Sequence, residues 1–281
     1  MKRNEYTMPI TGNMVLGADK PVLFAGPCVV ESMDICIEIG SRAKTLAKQI
    51  GFEYVFKASF DKANRTSSGS FRSIGMDKAL GVLEEVGKAL DVPLLTDVHE
   101  SSQIKEVAKV VDVLQIPAFL CRQTDLLLAA GESGKAVKIK RGQFMAPEDM
   151  RFAVDKIRST GNDKVCLTER GFSLGYHNLV VDMRALPIMR QFAPVVFDVT
   201  HSVQQPGGLG GSSGGQREMA PYLARAAGAA GVDGFFIETH PDPSKALSDG
   251  PNMVPLAEME AFLSMIKEAW LLGEKYKGFK I

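Results

Sequence analysis

The chain has 281 residues, with 33 Lys+Arg balanced by 33 Asp+Glu, 45% hydrophobic residues and four cysteines. That length leaves one large domain or two small ones open, while the ordinary composition excludes disorder, collagen-like repeats and a disulfide scaffold. A net charge of zero removes any chain-wide attraction to nucleic acid or an anionic membrane, although a local basic cleft is still allowed.

At the N-terminus, Asn4, Glu5, Asn13, Asp19 and Lys20 interrupt any apolar signal segment. Phe24-Ala25-Gly26-Pro27-Cys28 resembles a lipoprotein cleavage site only faintly, because Pro27 adjoins the Cys. No run reaches the roughly 18 apolar residues of a membrane span. A soluble, cytoplasmic protein is expected, and irregularly spaced Cys28, Cys36, Cys121 and Cys166 suit a reducing compartment. Residues 6–16 read as a small hairpin around Gly12-Asn13, within a lead-in over 1–20.

From there apolar, β-branched runs alternate with stretches of helical period. The predicted strands are Val22–Cys28, Tyr54–Ser59, Pro93–Val98, Val113–Ala118, Ala136–Gly142, Val165–Arg170, Val195–Thr200 and Gly234–His240. Helices are predicted near 32–50, 76–91, 101–110, 122–133, 147–160, 179–191, 215–230 and 254–276. Ser32 and Asp34 suit the start of the first helix and Gly51 its end. Pro147-Glu148-Asp149 opens the fifth with a proline and two acids at the positive end of the dipole. Order and size fit a closed (β/α)₈ barrel in one domain, 1–281, with the hairpin plugging its N-terminal end. A doubly wound open sheet is the second architecture, since alternation alone does not prove closure.

A barrel carries its chemistry at the C-terminal ends of its strands, and polar residues gather there. Cys28 and Glu31 follow the first strand; Lys57, Asp61 and Lys62 the second; Asp97, His99 and Glu100 the third. Lys138 and Lys140 lie in the fifth, Glu169-Arg170 end the sixth, Asp198 and His201 the seventh, Glu238 and His240 the eighth. In Ala136-Val137-Lys138-Ile139-Lys140 the two-residue period puts both lysines on one face. With the apolar face under the helices, the lysines point inward and require anionic partners. Acids on neighbouring strands could supply them. A bound phosphate or carboxylate is the better account, because Lys57, Lys62, Arg65 and Arg170 converge on the same rim.

Cys28, His201, Glu238 and Asp249 end or follow the first, seventh and eighth strands, neighbours across the barrel closure. A thiolate, an imidazole and two carboxylates suit Zn²⁺, Fe²⁺ or Mn²⁺. No compact ligand motif is present, and a buried thiol is the competing reading of Cys28. Two further motifs carry less. Gly171-Phe172-Ser173-Leu174-Gly175 matches a nucleophile elbow in letters, yet no helix follows the serine as an elbow requires. The glycine-rich run 207–215 lacks the Lys-Ser/Thr of a phosphate loop; with 203–216 and 242–253 it reads as lid.

Several runs resemble the 3-deoxy-D-manno-octulosonate 8-phosphate synthase family: 26–32 (GPCVVES), 56–67 (FKASFDKANRTS), 96–100 (TDVHE), 115–125 (QIPAFLCRQTD), 197–202 (FDVTHS) and 238–243 (ETHPDP). They span nearly the whole chain in order. The related 3-deoxy-heptulosonate synthases share the Gly-Pro-Cys opening but usually carry a Lys-Pro-Arg-Thr-type segment where this chain has Lys-Ala-Asn-Arg. The resemblance implies condensation of phosphoenolpyruvate with D-arabinose 5-phosphate and water, for lipopolysaccharide precursors. It implies Lys57, Ser59 and Lys62 at the enolpyruvate carboxylate, and Lys140, Arg170 and the backbone near Ala118 at its phosphate. Asn64, Arg65, Thr66 and Ser67 would receive the pentose phosphate and Asp97 the pentose hydroxyls, with Gln115 in the same site. Thr66 departs from the usual Ser but keeps the hydroxyl. Catalytic roles fall on Lys57, Lys62, Asp97, Lys140, His201 and Asp249. Arg122 would reach a neighbouring subunit's pentose phosphate in a homotetramer. Metal-independent members have Asn at the position of Cys28, so this chain is expected to bind a divalent metal (Mn, Fe, Zn or similar) through Cys28, His201, Glu238 and Asp249.

Overall fold

The computed structural model describes residues 6–65, 67, 69–208 and 214–276. The chain opens with an antiparallel hairpin, β1 (Met8–Thr11) and β2 (Met14–Leu16). Strands and helices then alternate: β3 (Val22–Gly26), α1 (Met33–Ile50), β4 (Glu53–Lys57), α2 (Met76–Leu90), β5 (Leu94–Asp97), α3 (Ile104–Val110), β6 (Val113–Ile116) and α4 (Thr124–Glu132). They continue as β7 (Ala136–Lys140), α5 (Met150–Arg158), β8 (Val165–Glu169), a small ribbon of β9 (Phe172–Ser173) and β10 (Leu179–Val180), and α6 (Ala185–Met189). After β11 (Val195–Asp198) and α7 (Val199–Ser202) come a second ribbon, β12 (Gln204–Gln205) and β13 (Gly214–Gly215), then α8 (Ala220–Ala230), β14 (Gly234–His240), β15 (Val254–Pro255) and α9 (Met259–Lys275).

Closure decides between the two architectures. The parallel strands run β11-β8-β7-β6-β5-β4-β3-β14, and β11 also pairs with β14 through Val196–Gly234. The sheet is therefore a ring, the (β/α)₈ barrel. Each barrel strand sends alternate residues to two cores. Val137 and Ile139 of β7 join the large cluster between strands and helices. Inside the ring, Val55, Leu95, Val113, Ala136, Cys166, Val196 and Phe236 form a second cluster, and Met8 and Leu16 of the hairpin complete it. The hairpin thus seals the N-terminal mouth with apolar side chains.

Two residues further along each of those strands, the inward positions turn polar. Lys57, Asp97, Gln115, Lys138, Thr168, Asp198 and Glu238 are all buried, one layer above the apolar plug. The period-two geometry of a strand forces this stacking. Gly26 is required where β3 meets β4, because a Cβ there would stand 2.0 Å from the Lys57 carbonyl oxygen.

The first helix begins and ends as the sequence predicts. Ser32 Oγ accepts from the Ile35 N–H at 3.3 Å, and Gly51 closes the helix at φ 89°. The following predicted bounds need correction. Residues 179–180 of the predicted sixth helix pair with Phe172–Ser173 instead, and the helix is confined to Ala185–Met189. β-branched Val180 suits the ribbon, and Pro187 cannot sit deep in a helix. The strand predicted over Val195–Thr200 stops at Asp198, whose carboxylate accepts from the His201 N–H at 2.9 Å and starts a helical turn. The last predicted helix begins five residues late, because Val254–Pro255 pairs with the end of β14.

Candidate active site

A cleft of about 770 Å³ opens at the C-terminal ends of the strands. Its charged lining is Lys62, Arg65, Lys140, Arg170 and Arg217 against Asp97, Asp242 and Asp249, with His99 and His201. Cations outnumber acids, the local asymmetry that a net charge of zero conceals. All three of those guanidiniums hold donors in reserve, Arg217 through its Nε, which is buried without a hydrogen-bond partner among the described residues. Arg65 Nε and Nη1 donate to the Phe71 carbonyl and Ser248 Oγ, both at 2.7 Å, and its Nη2 is buried without a hydrogen-bond partner among the described residues. Arg170 Nη2 donates to Gln204 at 2.9 Å, while its Nη1 is likewise unpartnered. Buried N–H groups of that kind are poised for an anion.

Beneath the cleft lies a connected set of buried charges. Lys57 Nζ donates to Glu238 Oε1 at 2.6 Å and to the Cys28 carbonyl at 2.9 Å. Burial alone would push the Glu238 carboxyl up, but Lys57, His201 and Lys62 outweigh it and bring it down to about 2. Asp97 accepts from Ser59 Oγ and from Gln115 Nε2. Its burial is overcome by Lys57, Lys62 and Lys140, which hold it well below the usual carboxylate range. Lys140 pairs with Asp198 at 2.9 Å. An acid of this chain therefore meets that inward lysine, while Lys140 still lines the cleft. Lys138 instead finds the Gln115 side-chain oxygen Oε1 at 2.9 Å and does not reach the cleft.

Cys28, Glu238 and Asp249 bring one ligand atom each within 4.8 Å of one another, an arrangement that could hold a metal ion. The donor set fits such an ion on three counts. Glu238 Oε2 is buried without a hydrogen-bond partner among the described residues, one thiol and two carboxylates suit a borderline divalent cation, and His201 stands beside them. Its Nε2 lies 3.9 Å from Glu238 Oε2, and its Nδ1 lies 3.0 Å from Asp198 Oδ1. In the tautomer whose Nδ1–H donates to Asp198, Nε2 is the ring nitrogen free to bind a metal. Burial, and then Glu238, push the Cys28 thiol upward, so it keeps its single proton, with Ser248 Oγ at 3.0 Å and Asp249 Oδ2 at 3.1 Å as alternative acceptors. Coordination would remove that proton.

Of the residues predicted from sequence, Lys62, Asn64, Arg65, Asp97, Gln115, Ala118, Lys140, Arg170, His201 and Asp249 line the cleft. Lys57, Ser59, Cys28 and Glu238 are buried in its wall. Ser67 lies off the lining, and Thr66 falls outside the described residues. Arg122 stands apart, exposed beside a separate 260 Å³ pocket with Cys121, Met145 and Phe152. Ser173 of the G-x-S-x-G run is exposed in the ribbon of β9 and β10, with no helix after it. Of the glycine-rich run, 209–213 lie outside the described residues. Sequence reasoning missed Arg217, whose Nη2 donates to the Gly250 carbonyl at 2.6 Å, and Ser248, which takes both Cys28 and Arg65. Neither carries a local motif. Only the meeting of distant loops brings them in.

A family model described as "DAHP synthetase I family" matches residues 5–273. Proteins named 2-dehydro-3-deoxyphosphooctonate aldolase are 56% identical to this chain. One from Rhodopseudomonas palustris aligns over 272 residues, 96% of this chain and 95% of the relative. One from Geotalea uraniireducens aligns over 258 residues, 91% and 95%, and one from Xanthomonas euvesicatoria over 266, 94% and 96%. The chain belongs to the DAHP synthetase I family and, within it, to the 2-dehydro-3-deoxyphosphooctonate aldolases.

Proposed function

We propose that this cleft condenses phosphoenolpyruvate with D-arabinose 5-phosphate and water, giving 3-deoxy-D-manno-octulosonate 8-phosphate and inorganic phosphate. The protein is a synthase of lipopolysaccharide precursor formation, working in the cytoplasm as one domain over 1–281. The carrying observation is a cation-lined cleft in which Arg65, Arg170 and Arg217 each keep an unpartnered guanidinium donor among the described residues, as phosphorylated substrates require. The names of the relatives favour the five-carbon substrate over erythrose 4-phosphate, and a non-catalytic phosphosugar barrel is not favoured.

Lys57, Ser59 and Lys62 receive the enolpyruvate carboxylate; Lys140, Arg170 and the backbone near Ala118 receive its phosphate. Asn64, Arg65, Thr66 and Ser67 hold the pentose phosphate, with Arg122 entering from a neighbouring subunit of a homotetramer. Asp97 orients the pentose hydroxyls, and Gln115 holds Asp97. Carbon three of the enol attacks the aldehyde, water adds to carbon two, and the tetrahedral phosphate hemiketal loses phosphate. The fixed cations stabilise the charge that grows on that path. Lys140, Asp198 and His201 form a contiguous set able to hold or move a proton at His201. Cys28, His201, Glu238 and Asp249 would hold a divalent ion such as Mn²⁺, Fe²⁺ or Zn²⁺. Such an ion would lower the pKa of the attacking water or position the water and the aldehyde.

Release of inorganic phosphate, measured with each aldose phosphate in the presence of phosphoenolpyruvate, tests this reading. Arabinose 5-phosphate is expected to be preferred. Preference for the four-carbon sugar, or no release with either sugar at any metal supply, would overturn it.

A further inference from the structure

Asp97, Gln115 and Lys138 stand abreast on three consecutive strands, Asp97 opposite Gln115 and Gln115 opposite Lys138. Their side chains form one line. Lys138 Nζ donates to Gln115 Oε1 at 2.9 Å, Gln115 Nε2 donates to Asp97 Oδ1, and Ser59 Oγ donates to Asp97 Oδ2. Asp97 is the end of that line that faces the cleft. Lys138 is its buried foot, with no exposed surface. Its ammonium otherwise meets ring faces, Phe236 at 4.6 Å and Phe24 at 5.6 Å from the ring centres.

A packing role does not call for a lysine here. The Phe24 and Phe236 rings would accept an apolar side chain, whereas an ammonium must be stripped of water for one amide oxygen. What a lysine alone supplies is direction. An ammonium has three donors and no acceptor, so Gln115 must present its oxygen to Lys138 and its NH₂ to Asp97. With an apolar residue at 138, Gln115 Oε1 loses its buried donor, and the amide, anchored at Asp97 alone, is free to shift and carry the carboxylate with it. We propose that Lys138 is a positioning residue of this reaction: acting through Gln115, it holds Asp97 as the acceptor that orients the pentose phosphate. This rests on the reading of the reaction given above.

The charged and titratable groups facing Lys138 are Lys140 on its own strand, Cys166 on β8, Asp198 on β11 and Asp97 on β5. Burial, then Lys140, bring its ammonium down to about 7. A neutral amine accepts as readily as it donates, so the lock on Gln115 weakens above neutrality.

The test is steady-state kinetics on the metal-loaded enzyme with Lys138→Met, Lys138→Gln, Gln115→Leu and the Lys138→Met/Gln115→Leu pair. Losing one buried polar contact of this kind corresponds to about a 5- to 30-fold change. That is the expected rise in KM for arabinose 5-phosphate in Lys138→Met, with KM for phosphoenolpyruvate within about twofold of wild type by the same measure. Lys138→Gln, which keeps a donor, should be affected less, and it replaces Lys138→Met if that variant does not fold. In the Gln115→Leu background, changing Lys138 should add nothing further. The wild-type KM for the pentose phosphate should also rise above pH 7, and lose that rise in Lys138→Gln. An unchanged KM, equal rises for both substrates, or multiplicative effects in the double variant would overturn the proposal. If wild type itself fails to use arabinose 5-phosphate, the reaction assignment falls. The relay is then judged by the ¹⁵N resonance of the Gln115 side-chain amide, which moves in Lys138→Met if the relay exists and stays in place if it does not.

Discussion

Lys57 and Glu238 lock together at 2.6 Å with both side chains sealed inside the barrel. The carboxylate is shared: Oε1 takes the lysine, and Oε2 is turned toward the group formed by Cys28, Asp249 and His201. Removing one member of a buried pair typically costs about 3–5 kcal/mol, because the other charge is left uncompensated. Lys57→Met should lose that much in urea unfolding, and the Lys57→Met/Glu238→Leu double variant should recover most of it. A loss below about 1 kcal/mol, the level of an exposed pair, would show that the two are not energetically coupled.

The same pair sets an acid limit. Glu238 is brought from 4.5 down to about 2 in the folded protein. Between those values the unfolded chain binds more protons than the folded one, so stability falls as pH falls. The stabilisation is fully present above pH 4.5 and lost toward pH 2. Unfolding midpoints measured across this window should decline in wild type and decline less steeply in Glu238→Gln.

Lys138 shifts stability in the same direction, but in an alkaline window. Its ammonium is lowered from 10.5 to about 7, so between these values the unfolded chain again holds the extra proton, and stability rises with pH. At about 1.4 kcal/mol per pKa unit, the burden below pH 7 is on the order of a few kcal/mol. Lys138→Met should flatten the stability profile between pH 7 and 10.5. An unchanged slope would mean that this lysine is not depressed.

For the metal, a strong chelator should abolish phosphate release and lower the melting temperature, with Mn²⁺ restoring both. Cys28→Ser should weaken metal retention in equilibrium dialysis, since a hydroxyl is a poorer ligand than a thiolate for such ions. Full activity of a demonstrably metal-free preparation would falsify the cofactor assignment.

The guanidiniums of Arg65 and Arg170 should separate the substrates. Charge-assisted hydrogen bonds contribute about 1.5–3 kcal/mol, roughly 10- to 100-fold in binding. Arg65→Ala should raise KM for the pentose phosphate by that factor and spare phosphoenolpyruvate, while Arg170→Ala should do the reverse. Both variants raising the same KM would redraw the pocket.

The barrel was legible in the chain because strand and helix periods are local. Apolar alternation marks each element, and the polar residue two places beyond each apolar inward one marks the active end. The resemblance carried by runs such as 56–67 added the reaction. What no local pattern contains is closure, register and the meeting of loops. Lys138 and Lys140 are equivalent by period, yet one reaches Asp198 at the cleft and the other is sealed under Gln115, because each faces a different partner across the ring. His201 sits on a helical turn where sequence placed it after a strand, since the Asp198 side chain captures its N–H. Ser248 and Arg217 enter the site from loops whose positions are set only when the barrel closes. Composition found four cysteines and no net charge. Tertiary structure set Cys28 beside Glu238 and Asp249 and gathered an excess of cations around one cleft, because long-range packing decides which charges share a low-dielectric space.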